Sequence, residues 1–390
     1  MKSILIVGAL VLALIVTSFL RAEPSVTGAP DRTVSEAVKP MMRQNFETLM
    51  ELQAYAASPE RFRDPKNYAE ITKLIDRLAG IAHALPQVTD ASRPGLSAVA
   101  SVFSEYLDDL KAGLKTGNPV YLRNRIRTAA GFCFECHTST AAGQNFQDAE
   151  RRVEALKLTP FQKAEYLAAT RQFDKALDLY DDLLGGKTAS EAQSTELAHA
   201  VRSALILAVR VKEDPKRASE ILDRVDTRKD LSSFFRNQID AWKKDVSDWK
   251  KEKPLNADAP AASWLAKAQK LSDRARILQT YPADHAGDVS YLRSISFSHQ
   301  ALAHAPSDNQ KAQAFYLLGA AHAVLQDPLL WNLGNYYFEA CVSTVPHTSL
   351  ARSCFDRWLQ ETTFGNTGSS GTNFPPETEE KIRSLRDLAH

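Results

Sequence analysis

The sequence predicts an all-α protein, in which a four-helix bundle is followed by an α-helical solenoid. Up to about residue 140, apolar residues recur at intervals of three and four in successive segments, as in helices that bury one face. Prolines and glycines separate these segments, as they do at helix ends. From about residue 156 the helical spacing continues, with small and aromatic residues where paired helices would cross.

Four helical segments are predicted in the first part of the chain. The first covers about residues 35–57, and the second carries an apolar stripe over 71–85. The third has its stripe over 96–114 and is opened by Pro94, and the fourth starts at Pro119 and runs through Leu122, Ile126 and Ala129 into the segment 131–140. Four successive helices of this kind, with prolines and glycines at their junctions, predict a four-helix bundle.

The N-terminus has the pattern of an export signal. Met1 and Lys2 give a short positive start, and residues 4–20 are apolar and uncharged. We expect residues 1–22 to be either a signal peptide that is cleaved after Ala22 or an uncleaved inner-membrane anchor, since the apolar run is at the lower edge of membrane-spanning length. Both alternatives place the rest of the chain in the periplasm, on the oxidising side of the membrane.

The composition bears on the partners and on one pair of cysteines. The 48 basic and 47 acidic residues nearly balance and form no long block of one charge, so nothing favours nucleic acid as a partner. The four cysteines fall into two pairs along the chain. In an exported protein, Cys341 and Cys354 are expected to form a disulfide between consecutive helices, the alternative being two buried thiols.

Residues 131–140 carry the motif with the clearest chemistry. They read Gly-Phe-Cys-Phe-Glu-Cys-His-Thr-Ser-Thr, and Cys-x-x-Cys-His is the attachment signature of haem c. Two thiols three residues apart on a helical turn can reach the two vinyl groups of one haem, and the adjacent imidazole then lies beneath the iron. We therefore expect Cys133 and Cys136 to bind one haem c covalently, with His137 as the proximal iron ligand. The alternatives are a thioredoxin-like redox pair, which needs a βαβ setting, and half of a zinc site, which needs two more ligands.

The methionines narrow the choice of a second iron ligand. Methionine occurs only at positions 1, 41, 42 and 50, so a methionine ligand must come from the segment before the motif. On the first predicted helix, Met42 shares a face with Phe46, Leu49 and Met50, whereas Met41 lies on a more polar flank. The alternative is that these methionines only fill the core of the bundle, as methionine often does.

These features together resemble the class II cytochromes c, the cytochrome c′-like family. The layout of four helices with the motif near the end of the last is similar, and so is segment 38–50 with its Met-basic-x-Asn core. The resemblance covers residues 33–145 and implies Met42 as the distal iron ligand, with Met41 as the second choice. One departure is that the family usually follows its motif with an aromatic-Arg pair, where this chain has Thr-Ser-Thr-Ala-Ala-Gly.

Other side chains before the motif offer alternatives for the haem. His83 is another possible distal ligand, although it falls off the apolar stripe of its helix, and a distal site without a protein ligand is a third option. Four arginines are candidates for the haem propionates or for plain solvation: Arg43, Arg123, Arg125 and Arg127. The seven histidines after the motif show no metal spacing and are expected at the surface or capped: positions 199, 285, 299, 304, 322, 347 and 390.

The rest of the chain is predicted to form helical repeats over residues 156–360. The end of segment 161–180 looks like the second half of a tetratricopeptide repeat, and the pattern recurs loosely at 214–222 and 311–346. A solenoid of this kind would dock a protein partner, either a redox protein or a component of the cell envelope. Residues 361–390 are expected to be a flexible loop and a short terminal helix.

Several functions are compatible with this organisation. We favour an exported mono-haem cytochrome that transfers electrons in the periplasm and is not an enzyme. The alternative is a gas-binding haem sensor or scavenger with an open distal site. A peroxidase is disfavoured, since exported haem c peroxidases use two haems and one attachment motif is present. In a fourth, mostly structural interpretation the solenoid is the working part of the protein and the haem only stabilises the fold.

Overall fold

The computed structural model confirms the all-α class. It describes residues 38–92, 95–116, 118–139, 146, 148–186, 194–281, 284–325 and 330–390. Over these residues the chain forms α-helices, one π-helical turn and one two-stranded hairpin. The predicted export segment, residues 1–22, lies outside the described residues. Within them, no helix is both long enough and apolar enough to cross a membrane.

The first group of helices ends at the motif. Its members are α1 (Val38–Ala56), α2 (Pro59–Arg63), α3 (Pro65–Ser92), α4 (Leu96–Thr116), α5 (Pro119–Thr128) and α6 (Ala130–Thr138). Proline stands at the start of α2 and α5, where a missing N–H costs nothing, and the Asn118 side chain caps α5 by accepting from two backbone N–H groups. The sequence did not predict the short helix α2. It also did not predict the interruption at Ala129, which splits the fourth helix into α5 and α6.

The long helices of this group pack side by side around apolar stripes. Helix α3 packs against α1 and α4, while α5 contacts α1 and α4. The stripes predicted on α3 and α4 are buried, and their innermost members are Ile71, Leu74, Ile75, Leu78, Leu107 and Leu110. Burying each such side chain contributes about 1.5–3 kcal/mol, so these contacts hold the layer on which α6 rests.

The second group is a succession of helices from α7 to α18. Its members are α7 (Ala149–Glu154), α8 (Pro160–Ala169), α9 (Phe173–Leu184), α10 (Ser194–Ile206) with a π-helical turn (Leu207–Val211), α11 (Pro215–Asp226), α12 (Ser233–Trp249), α13 (Ala261–Leu278), α14 (Asp288–Ala303), α15 (Asp308–Leu325), α16 (Leu333–Thr344), α17 (Ser349–Gly365) and α18 (Pro376–Ala389). Most neighbours in this series pack against each other, and α18 folds back on α16 and α17.

The C-terminal end of this group contains more regular secondary structure than the sequence predicted. Helix α17 continues through Gly365, past the expected start of the loop at residue 361. Strands β1 (Thr367–Gly368) and β2 (Gly371–Thr372) then form a small antiparallel hairpin before α18. A disulfide joins Cys341 of α16 to Cys354 of α17, the two cysteines that were expected to bond to each other.

The two groups of helices share one apolar core. Helix α6 packs against α8, and α4 packs against α16. Most of the buried apolar residues of both groups belong to a single contiguous cluster. The segment that carries the motif is therefore enclosed by helices that follow it in the chain as well as by helices that precede it.

Candidate haem-binding site

Helix α6 presents the motif from a fixed position in the core. Phe132, which is 1% exposed, anchors this helix, and its ring lies 5.2 Å from the ring of Phe103 and 4.7 Å from that of Tyr106. Both partners are on α4, so the first turn of α6 is tied to the first group of helices. Aromatic pairs in this range contribute beyond their buried area. Cys133, Cys136 and His137 follow within the next two turns.

His137 is held from the second group of helices. Its Nδ1 lies 2.6 Å from the carbonyl oxygen of Ala169, and because a carbonyl only accepts, Nδ1–H must be the donor. Ala169 is the last residue of α8, and the final carbonyls of a helix lack intrahelical partners. The helix ends there because Arg171 takes a left-handed conformation at φ 62°. The end of α8 thus supplies an acceptor that would otherwise be unpaired.

The protonation state of His137 suits a metal ligand. Burial lowers the pKa of this imidazole to about 3, with a further contribution from the positive charge of Arg171. The ring is therefore neutral at physiological pH. With Nδ1 donating to Ala169, the lone pair is on Nε2, the usual atom by which a haem-bound histidine reaches iron.

The two motif cysteines are thiols in this structure. The structure describes both side chains and joins them to no disulfide. Burial raises the pKa of the Cys133 thiol to about 12, with a further contribution from Cys136. A reactive redox cysteine has the opposite property, a depressed pKa in an electropositive setting. This environment does not favour the thioredoxin-like alternative.

Two buried tyrosines lie near these thiols. Tyr166 is within electrostatic reach of Cys133, and Tyr337 is within reach of Cys136. Among the described residues neither hydroxyl finds a hydrogen-bond partner. An unpaired buried hydroxyl costs about 1–3 kcal/mol, so the surroundings of the thiols hold polar groups that the chain itself does not satisfy.

An aromatic contact links His137 to the first helix. The ring of Phe146 lies 5.9 Å from the imidazole of His137 and 5.0 Å from the ring of Phe46 on α1. The Phe146 N–H also donates to the carbonyl oxygen of Thr170, next to Ala169. Phe46 is one helical turn after Met42, so the methionine-bearing face of α1 and the motif histidine turn toward the same region.

The register of α1 against α5 gives a second link between these residues. Gln53 Nε2 donates to the carbonyl oxygen of Ile126 at 2.5 Å, and Arg123 Nε donates to that of Ala56 at 2.6 Å. From Gln53 to Ala56 the contact on α1 moves three residues forward, while its partner on α5 moves three residues back, from Ile126 to Arg123. The two helices therefore run antiparallel. Eleven residues back from Gln53 is Met42, and eleven residues forward from Ile126 is His137. Because the helix is interrupted at Ala129, this count does not carry through to α6; the register places the N-terminal half of α1, which carries Met42, toward the end of α5 from which α6 begins.

Both candidate methionines are half-buried against the core. The flank of α1 that carries Met41 is not an exposed one, since Asn45 and Thr48 on that flank are buried. Met50 is 4% exposed and belongs to the interior of the helix layer. Burial alone therefore does not decide whether Met41 or Met42 is the better candidate for the iron ligand. The position of Phe46 favours Met42, because Phe46 lies one turn after Met42 on the same face of α1 and contacts Phe146 beside His137.

The other predicted side chains are engaged elsewhere. His83 is on the surface of α3, where Nδ1 meets Ser104 Oγ at 2.8 Å and Nε2 meets Asp108 at 3.0 Å. Arg123 binds a backbone carbonyl of α1, and the Arg125 guanidinium lies over the ring of Tyr106. Arg43 and Arg127 have no described contact with the residues of the motif.

A buried polar cluster beside the motif was not predicted. Glu135, the residue before Cys136, is 5% exposed and forms an ion pair with Arg210 of the π-helical turn at 2.8 Å. His322 lies 3.8 Å from the same carboxylate and stacks on Tyr337. His322 is 7% exposed, so the surface position expected for it is wrong. Its burial lowers the pKa of the imidazole to about 4. The only sequence signal is a single arginine in the apolar run 204–211.

The donor set fits haem c better than a chelated metal ion. It consists of two thiols, one neutral imidazole with its outer nitrogen bonded to a carbonyl, and nearby buried hydroxyls without partners. Within the described part of the chain, no three His, Cys, Asp or Glu side chains converge on one point as metal ligands. Comparisons of this chain with protein-family models, with curated proteins and with solved structures gave no match.

Proposed function

We propose that this chain is an exported mono-haem c-type cytochrome of the class II kind, which transfers electrons in the periplasm. The observation that carries the proposal is the state of His137 within Cys-x-x-Cys-His: a buried, neutral imidazole whose Nδ1–H is held by Ala169. A buried histidine of any role must bond its N–H, but here that bond leaves the lone pair on Nε2, directly after the two motif cysteines, and metal-bound histidines regularly have their outer nitrogen bonded in this way.

Each motif residue has a distinct role in this proposal. The Cys133 and Cys136 thiols would each add across one vinyl group of the haem, the S–H proton going to the second vinyl carbon, so that two thioethers form. His137 would ligate the iron through Nε2. When bound, the haem supplies a one-electron ferric/ferrous couple. The carbonyl of Ala169 fixes the plane of the imidazole and raises its basicity.

The distal ligand in this proposal is Met42. It is supported by the register of α1 and α5 and by the contact of Phe46 with Phe146 beside His137. His137 and Met42 would both hold the iron in either valence, so that little rearrangement of the chain would accompany electron transfer. A methionine ligand also raises the reduction potential.

The architecture and location of the protein belong to the same proposal. We expect α1, α3, α4 and the pair α5–α6 to act as a four-helix bundle, and the helices from α7 onward as a tetratricopeptide-like solenoid. The packing of α3 on α1 and α4 supports the first part, and the sequential packing from α13 to α17 supports the second. The solenoid would dock a redox or envelope protein, after export directed by residues 1–22.

Optical spectra of the purified protein test this function. We expect low-spin iron in both valences, a methionine-to-iron charge-transfer band in the ferric protein, and no change when carbon monoxide is added to the ferrous protein. High-spin iron that binds carbon monoxide at once would instead support the gas-binding alternative. A chain purified from a haem c-producing host without any haem would overturn both.

A further inference from the structure

The ion pair between Glu135 and Arg210 connects the motif to the second group of helices. Arg210 Nη1 lies 2.8 Å and 2.9 Å from the two carboxylate oxygens of Glu135. Arg210 Nη2 donates to Ser139 Oγ at 2.6 Å. The side chains of the ion pair are 1% and 7% exposed, so solvent does not compete for these bonds. Glu135 lies in α6 and Ser139, one helical turn later, is the residue at the end of this helix. One guanidinium therefore binds both the middle and the end of α6.

Arg210 is presented by an unusual piece of backbone. It lies in the π-helical turn Leu207–Val211, where the helix that begins as α10 widens at its end. Short π-helical turns inside helices are rare and occur frequently at functional sites. Every other residue of this turn is an apolar core residue, so Arg210 is the one charged side chain that the turn delivers into the interior.

Stability alone is a weak reason for such a pair. Taking two charges out of water costs several kcal/mol, and well-packed apolar residues of similar volume are often as stable or more so. What arginine adds is a defined orientation, because its two terminal nitrogens lie in one rigid plane and here bind two different residues, Glu135 through Nη1 and Ser139 through Nη2. Here the element that Arg210 orients is α6. This helix carries His137, whose Nδ1 donates to the carbonyl oxygen of Ala169 at 2.6 Å.

We propose that Arg210 is a positioning residue for His137, in that it fixes the rotation of α6 so that the imidazole keeps its bond to Ala169 and its orientation toward the haem iron. The proposal rests on the haem function proposed above. In this proposal the second group of helices supplies residues that orient the iron ligand, in addition to any role in docking a partner.

Arg210→Lys tests the proposal in the haem-loaded, full-length protein. Lysine keeps the positive charge, so the net charge near the haem is unchanged, but a single ammonium cannot reproduce the fork between Glu135 and Ser139. We expect a looser His137–Ala169 bond, a less basic imidazole and a higher midpoint potential. A tenfold change in the ferrous/ferric ratio corresponds to 59 mV. The ferric electron paramagnetic resonance signal should also shift or broaden.

Arg293→Lys is the matched control. Arg293 is 3% exposed and pairs with Glu252 at 2.8 Å, within the second group of helices and with no described contact to α6. It should lose comparable stability without changing the potential or the resonance signal. If Arg210→Lys cannot be obtained with haem, Ser139→Ala removes one of the two contacts and should give a smaller shift in the same direction.

An unchanged potential and an unchanged resonance signal in both Arg210→Lys and Ser139→Ala would overturn the positioning role, even if both variants are less stable. Failure of the haem function is a different result, because it appears in the unmodified protein as absence of haem. The wild-type spectrum therefore separates the two.

Discussion

His137 donates a hydrogen bond from Nδ1 to the carbonyl oxygen of Ala169, 2.6 Å away and 32 residues later in the chain. The donor is in the attachment motif, and the acceptor ends the first long helix after it. This bond means that the proposed iron ligand is oriented by a part of the chain that the sequence assigns to a separate repeat domain. Coordination and the folding of the second group of helices should therefore be coupled.

Met42→Ala tests the assignment of the distal ligand. Removal of the thioether should open the iron, so the ferrous variant should bind carbon monoxide and the ferric variant should lose its methionine-to-iron band. Met50→Ala is the control for packing, since Met50 is 4% exposed: it should lower the free energy of unfolding by about 2–5 kcal/mol and leave coordination intact. If Met42→Ala leaves the spectrum unchanged and Met41→Ala opens the iron to carbon monoxide, Met42 is not the distal ligand and Met41 is.

Gly319→Ala tests the close crossing of α15 and α16. A Cβ atom at this position would lie 2.7 Å and 2.8 Å from two ring carbons of Phe338. The overlap should cost about 1–3 kcal/mol, more than the helix propensity that alanine gains. Gly80→Ala is the matched control, because its Cβ would meet nothing within 4 Å, and it should stabilise α3 by roughly 0.5–1 kcal/mol. Denaturant titrations of the two variants should move in opposite directions, and a Gly319→Ala variant as stable as wild type would contradict the crossing.

Glu252 should contribute stability that is lost in acid. Partial burial raises the pKa of this carboxyl, but hydrogen bonds from Arg293 and Lys267 outweigh it and lower the pKa to about 2. Because the folded pKa is below the ordinary value of 4.5 for a glutamate, the contribution is complete above about pH 4.5 and is lost as the pH falls toward 2. Solvent screening of this partly exposed group limits the effect to about 1–2 kcal/mol.

The measurement compares the free energy of unfolding of wild type and Glu252→Gln at neutral pH and near pH 3. The difference between the two proteins should shrink as the pH falls. Glu70→Gln serves as the control, since Glu70 is exposed and its distance to Lys73 is 3.7 Å. A constant difference for Glu252→Gln at all pH values would show that the carboxylate charge is not the source of the stability.

The disulfide between Cys341 and Cys354 should stabilise the end of the second group of helices. It closes a loop with a sequence separation of 13, and loops of this size contribute about 3 kcal/mol when cross-linked. The double variant Cys341→Ser/Cys354→Ser should unfold at lower temperature without a change in the haem spectrum, because the bond lies between α16 and α17. A spectral change in this variant would show that the packing of α16 against α4 reaches the haem site.

The helices could be predicted from local pattern because their causes are local. The stripe on α3 and the proline that opens α5 are visible in the sequence, and the structure has helices at both places. The interruption at Ala129 could not be predicted, since neither a glycine nor a proline marks it. After this interruption α6 packs against both α4 and α8.

The candidate site could be predicted only in part, because some of its contacts join residues that are far apart in the sequence. The motif residues are adjacent in sequence, so Cys133, Cys136 and His137 could be proposed as haem-binding residues from the sequence. The acceptor on Ala169 is a backbone carbonyl and has no side-chain signature. Arg210 is separated from Glu135 by 75 residues, and a lone charge in an apolar run indicates burial without indicating a partner. Long-range pairings of this kind become visible only when the fold brings the helices together.

The most direct test of the account is the covalent attachment of one haem to Cys133 and Cys136. The protein would be purified from a host that makes c-type cytochromes, denatured in acidified acetone, and analysed by intact mass and by its pyridine haemochrome spectrum. We predict one haem per chain that stays with the polypeptide, and loss of all covalent haem in the double variant Cys133→Ser/Cys136→Ser. A wild-type chain without haem, or with haem that the acetone extracts, would contradict the account.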